Sequence, residues 1–184
     1  AKASGKNKYQ FYSEVLNDEP LERLDLENHL RQALSRDEFE LYYQPKIDVR
    51  TQAICGAEAL LRWNHPRLGR VSPARFIPIC EEIGLIHSIE EWVIQSACRQ
   101  VKEWTEHGFP LLRIAVNLSP LQFRQANLVK QVTDILAAAG VSTRNLEFEI
   151  TESAAMEDID KTIETLSLFK GLGLHLSIDD FGTG

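Results

Sequence analysis

Four stretches of this sequence alternate apolar and polar residues with a period of two, and the polar side of each carries an acid or an amide toward its end. In Ala53–Trp63, Gly56, Glu58, Leu60 and Arg62 share one parity, while Cys55, Ala57, Ala59 and Leu61 hold the other. In Leu112–Leu118, Ala115 and Asn117 oppose Ile114, Val116 and Leu118. Glu147, Glu149 and Thr151 oppose Phe148 and Ile150 in Leu146–Thr151, and His175, Ser177 and Asp179 oppose Leu176 and Ile178 in Leu174–Asp180. Successive side chains of a strand point to opposite faces. Strands laid side by side therefore bring Glu58, Asn117, Glu149 and Asp179 together, with Asp180 at the last strand's exit. Like charges packed so closely raise one another's pKa and cost several kcal/mol unless a cation joins them. All-oxygen donors favour Mg²⁺ or Mn²⁺ over Zn²⁺. The set can hold one ion, or two sharing a bridging carboxylate, and the second arrangement is the apparatus of phosphodiester hydrolysis. Any one of these acids taken alone reads equally well as a helix cap, a salt-bridge partner or a solvated group.

The elements that must position this set follow from periodicity. Residues 1–19 are polar and without period, and read as a leader or linker. Over 20–36, Pro20 opens an amphipathic lead-in helix marked by Leu21, Leu24, Leu30 and Leu34. From 37 to 184 the chain becomes a body of alternating strands and helices. Its first strand alternates Phe39, Leu41 and Tyr43 with Glu40, Tyr42 and Gln44, and Pro45 either ends it or places it at a sheet edge. Apolar helical faces then recur at Ile89, Trp92, Val93, Ala97, Val101 and Trp104, at Val129, Val132, Ile135, Leu136 and Ala139, and at Met156, Ile159, Ile163 and Leu166. Gly140 and Gly171 stand where helix C-caps are expected. Sequential strand–helix units predict an α/β fold with a mostly parallel sheet, either doubly wound or closed as a barrel. Both place their sites at the C-terminal strand ends.

Composition narrows the function classes. Twenty Lys+Arg against 27 Asp+Glu give a net charge of -7, which argues against a broad DNA, RNA or membrane footprint. The start lacks the apolar segment of a secretory signal, which predicts a cytoplasmic location. Cys55, Cys80 and Cys98 read as small buried hydrophobes. His175 reads as a core histidine and His65 as loop surface, with His29, His87 and His107 on helices or their ends without acidic company. Glu81 and Glu82 read as a solvated helix flank.

The strings around these residues carry a resemblance. Glu58-Ala59-Leu60, followed by Leu61-Arg62-Trp63, resembles the signature of the EAL domain, the bacterial cyclic di-GMP phosphodiesterase family. Tyr43-Gln44-Pro45, Phe76-Ile77-Pro78, Asn117-Leu118-Ser119, Glu149-Ile150-Thr151-Glu152 and Asp179-Asp180-Phe181-Gly182-Thr183-Gly184 resemble its further motifs in the family's order. The resemblance implies a TIM-like (β/α) barrel with an antiparallel first strand, and hydrolysis of cyclic di-GMP to linear pGpG with Mg²⁺ or Mn²⁺, two ions in all. It implies Glu58, Asn117, Glu149, Asp179 and Asp180 as metal ligands, with Glu58, Asp179 and Asp180 catalytic. Gln44, Leu60, Arg62, Phe76 and Pro78 then belong to the substrate surface, and Glu152 holds the loop after the Asp-Asp pair. A homodimer, and an upstream GGDEF or sensory domain within a protein that is itself cytoplasmic or membrane-borne, follow from the same likeness.

A closed barrel usually takes about 250 residues. The 184 here are expected to supply about the first five strands, without the family's later lysine and glutamate and with little turnover in isolation. Two other readings stay open: a non-catalytic cyclic di-GMP receptor, and an unrelated barrel enzyme using one Mg²⁺ for enolate chemistry with a lysine or histidine base.

Overall fold

A computed structural model describes residues 15–110, 112–179 and 182. Helix α1 (Val15–Ala33) leads into strand β1 (Phe39–Ile47), which returns as β2 (Ile54–His65) and a short β3 (Gly69–Val71). Helices α2 (Pro73–Glu82) and α3 (Ile86–Glu106) precede β4 (Arg113–Asn117). After it come α4 (Pro120–Phe123), α5 (Leu128–Ala139), a 3₁₀ turn (Thr143–Asn145), β5 (Leu146–Thr151), α6 (Glu152–Glu157), α7 (Ile159–Gly171) and β6 (His175–Asp179).

The sheet order is β1-β2-β4-β5-β6, with β3 paired to β2 off this path. β1 is antiparallel to β2, while β2, β4, β5 and β6 are mutually parallel. The five expected strands are all present, and β3 is an addition too short to show a period of its own. Among the described residues no helix is long and apolar enough to cross a membrane.

One face of the sheet is closed by helices. Ala59, Trp63, Ile114, Val116, Phe148 and Ile150 are buried there with Ile89, Ile94 and Ala97 of α3, Val132 and Leu136 of α5, and Phe169 of α7. Such burial, at about 25 cal/mol per Å² of apolar surface, is what holds the strands in register. Gly140 takes the left-handed conformation (φ 66°) that ends α5, as expected. At the end of α7 the left-handed residue is Gly173 (φ 75°), two positions beyond Gly171.

Several sequence expectations are corrected. α1 begins at Val15, not Pro20, and runs through the proline, whose missing N–H removes one bond without starting the helix. Its buried stripe is Leu26, Leu30 and Ala33, while Leu24 is 55% exposed. The stretch read as one helix over Met156–Leu166 is two. Asp158 breaks it, its side chain accepting from Lys161 N at 3.1 Å, and the phase turns: Met156, Ile159 and Ile163 face outward while Thr162, Thr165 and Phe169 are buried. Thr162 Oγ donates to Ala155 O at 3.0 Å, so its hydroxyl is satisfied inside. Cys55 is exposed, because the β1–β2 register jumps from Lys46↔Gly56 to Ile47↔Ile54 and leaves it as the extra residue of a bulge. His175 is exposed as well, since no further strand covers β6 among the described residues. His65 is buried at the end of β2 rather than on a loop. The turn into β3 folds over it, and its Nδ1 accepts from the backbone N–H groups of Arg67 and Leu68, both at 3.1 Å.

Candidate functional site

The polar side of the arc is built from the inward parity of each strand. Glu58 stands mid-β2, half-buried, opposite Gln44 on β1 and Ala115 on β4. Asn117 ends β4, and its Nδ2 donates to Glu58 Oε1 at 2.8 Å. Glu149 lies level with Asn117 on one side and Ser177 on the other, and is 7% exposed. Asp179 is exposed at the end of β6, level with Thr151. The set climbs along the strands as it crosses the sheet, which is the stagger that tilted barrel strands require. Asp180 lies outside the described residues.

The sequence reasoning missed Lys46. It continues the inward parity of Gln44 two residues on, and that was the available signal. Its ammonium bonds Glu149 Oε1 and lies 3.7 Å from Glu147 Oε1. Glu147 is further held by Ser177 Oγ at 2.9 Å and Arg113 Nη1 at 3.2 Å. Burial works against the charge on Lys46, but Glu149, Glu147 and Glu58 outweigh it and raise its pKa. Burial raises the Glu149 pKa, the bond and charge of Lys46 lower it without cancelling the rise, and the negative charges of Glu58 and Asp179 add to it. One ammonium is thus insufficient for these acids. The remaining negative potential, with carboxylate and amide oxygens around it, fits a hard divalent cation.

Beside this set opens a cleft of about 310 Å³, lined by Leu60, Arg62, Ile77, Glu90, Asn117 and Ser119 among others. Arg62 lies half-buried with its guanidinium 5.6 Å from the Tyr42 ring centroid. Gln44 and Pro78 are exposed. Phe76 is not at the surface: it is fully buried, with its ring 5.6 Å from Trp63 and 5.9 Å from Phe39, so it serves the core and Ile77 takes the cleft wall. Glu152, the first residue of α6, accepts from Gly182 N at 2.7 Å.

Glu90 was also missed, although an acid four residues after Ile86 and three before Val93 falls in an apolar stripe. It is 6% exposed, its Oε1 accepts from Ser119 N at 2.8 Å, and its Oε2 has no hydrogen-bond partner among the described residues. Burial pushes its pKa from the ordinary 4.5 up to about 7, against the Ser119 bond. The raised value means that its contribution to stability is complete below about pH 4.5 and is lost as pH rises through about 7. Glu90→Gln should therefore be nearly neutral at pH 4.5 and stabilising by about 3 kcal/mol at pH 8. Urea unfolding of both proteins across this range checks it, and a pH-independent difference contradicts it.

Asp25, His29 and His65 form a second cluster, with ligand-capable atoms within 4.8 Å of one another. His29 thus has acidic company after all: its Nδ1 donates to Asp25 O at 2.8 Å and lies 3.5 Å from Asp25 Oδ1. Because His65 Nδ1 accepts two backbone N–H groups, its proton sits on Nε2, which has no hydrogen-bond partner among the described residues. The cluster thus presents a buried N–H donor where a metal needs a lone pair.

The profile of the EAL domain matches residues 27–184. The chain belongs to the EAL domain family. MucR of Pseudomonas aeruginosa, a bifunctional diguanylate cyclase/cyclic di-GMP phosphodiesterase, is 44% identical over 184 residues, covering all of this chain and 27% of MucR. The cyclic di-GMP phosphodiesterase NbdA of the same organism is 42% identical over 184 residues, all of this chain and 24% of NbdA. This EAL domain therefore spans about a quarter of the length of these curated relatives. The structure of the MucR phosphodiesterase in complex with c-di-GMP superimposes with a TM-score of 0.84 at 45% identity, over 87% of this chain and 65% of that one. EAL structures are TIM-like barrels, and the mixed sheet with its antiparallel first strand is part of such a barrel.

Proposed function

We propose that this EAL domain hydrolyses one phosphodiester bond of cyclic di-GMP to give linear pGpG, using divalent Mg²⁺ or Mn²⁺. The observation that carries the reading is the hydrogen-bonded Glu58–Asn117 pair, with Asn117 level with Glu149 and Asp179 two residues further along β6, beside a cleft lined by Arg62. Glu58, Asn117, Glu149 and Asp179 would hold the cations, with Asp180 completing the set. The bound ions supply Lewis-acid stabilisation of the phosphate and an activated water. The chain's own groups do the rest. Asn117 fixes the Glu58 carboxylate by its 2.8 Å bond. Arg62 offers a planar fork to phosphate oxygen, and Leu60 with Ile77 supplies apolar cleft wall. Gln44 stands across from Glu58 where a ligand over the set would meet it. Glu152 holds the loop that follows Asp179 through Gly182.

The test follows cyclic di-GMP and pGpG by chromatography with the full-length protein. Turnover is expected in Mg²⁺, arrest on adding EDTA and recovery on adding back Mn²⁺, with tight binding but no cleavage in Ca²⁺. Turnover that survives EDTA would falsify the metal-dependent reading. Binding without cleavage in every metal would identify a receptor instead. The homodimer implied by the resemblance is checked by sedimentation of the same protein with and without ligand.

A further inference from the structure

Lys46 approaches the acidic set from the side away from the strand ends. β1 runs antiparallel, so its last residues lie beside the first residues of β2, and Lys46 stands across from Gly56, two residues before Glu58. No side chain fits at that neighbouring position, because a Cβ on Gly56 would meet Arg113 O at 2.4 Å. From there Nζ bonds Glu149 Oε1. Glu147, the other acid within reach, has both oxygens held without it, by Ser177 Oγ and Arg113 Nη1. Among the described residues Glu149 has no such second support. Among the described residues, Lys46 is the donor that reaches its carboxylate, and Ser177, its neighbour in register, gives its hydroxyl to Glu147.

We propose that Lys46 is a positioning residue for cation binding: it fixes one oxygen of Glu149 from the floor of the arc and leaves the other for presentation toward Glu58, Asn117 and Asp179. The proposal rests on the reading of Glu149 as a metal ligand. A carboxylate released from such a contact turns freely and loses the pre-orientation that a cation uses. Partners one step outside a metal's ligands typically contribute 10- to 100-fold to its affinity.

The experiment is Mn²⁺ binding to the full-length protein, read by the electron paramagnetic resonance of free Mn²⁺, for the parent, Lys46→Met, Lys46→Arg and Glu149→Gln. Lys46→Met is expected to weaken Mn²⁺ binding about 10- to 100-fold. Turnover at saturating Mn²⁺ should fall by no more than about threefold, so the effect lies in the metal's half-saturation rather than in kcat. Lys46→Arg, which keeps a charged donor, should recover most of the affinity. Parent-like affinity in Lys46→Met together with loss in Glu149→Gln overturns the role of Lys46 and leaves the metal site standing. Parent-like affinity in both removes the metal reading, and the proposal with it. Should the methionine variant not fold, Lys46→Gln takes its place beside Glu149→Gln, and its affinity for Mn²⁺ decides the role of Lys46 in the same way.

Discussion

Glu58→Ala in the full-length protein should cut hydrolysis of cyclic di-GMP by about a thousandfold or more while leaving the fold intact. The size follows from the role. A bound cation supplies several kcal/mol of stabilisation to a phosphate transition state, and each 1.36 kcal/mol is a factor of ten in rate. On the proposed reading of Glu58 as a metal ligand, losing its carboxylate displaces the cation or its geometry. The stability expectation follows from the surroundings. Glu58 is half-buried, and its partner Asn117 is exposed at a strand end, so water replaces the lost bond. Relief of repulsion with Glu149, whose pKa Glu58 helps to raise, works in the same direction. Single-turnover kinetics in Mg²⁺ and a thermal melt check both halves together. Turnover within tenfold of the parent, at an unchanged melting temperature, would remove Glu58 from the site. Glu58→Gln separates charge from shape, since it keeps an oxygen toward Asn117 but offers a poorer cation ligand. It should retain the melt and lose the activity almost as completely.

Strand parity carried the sequence reading furthest. It set Glu58, Asn117 and Glu149 on one face because a strand's period is two, and burial of the opposite face by helices leaves no alternative register. What it missed has a common cause. Parity assigns a face, and says nothing of how far a long side chain reaches across it. Lys46 lies on the inward face of β1, but its pairing with Glu149 joins residues 103 apart, which only the antiparallel return of β1 brings together. Glu90 sits in a helical apolar stripe where pattern alone reads it as an exception. The structure makes it a carboxyl held by Ser119 N beside the cleft. The helical face at Met156, Ile159 and Ile163 failed for another reason. A single cap at Asp158 resets the phase, and two buried threonines do the packing that a hydrophobicity pattern assigns to isoleucines. Phe76 marks the limit of motif transfer: the resemblance implies a place for it on the substrate surface, yet its ring belongs to the core.

Trp63→Ala should be the most destabilising single change on the same strand, at about 3–5 kcal/mol. Trp63 has no exposed surface, and its ring lies 5.6 Å from Phe76, 6.2 Å from Phe39 and 5.1 Å from His65, while Nε1 donates to Glu38 Oε2 at 3.0 Å. Truncation leaves a cavity among three rings and a carboxylate without its donor. Against a typical stability of about 5–15 kcal/mol, this is enough to unfold a substantial fraction at 37 °C. Urea midpoints measure it, with Trp63→Phe expected to recover more than half of the loss. Trp63 and Glu58 differ in parity, one serving the helix side of the sheet and the other the site. Their effects should therefore add in the double variant to within about 0.5 kcal/mol in stability, and the residual activity of folded Trp63→Ala should match the parent per folded molecule. A Trp63→Ala protein that remains folded but has lost turnover would mean that the two faces of β2 are coupled, and that the aromatic cluster helps to set the position of Glu58.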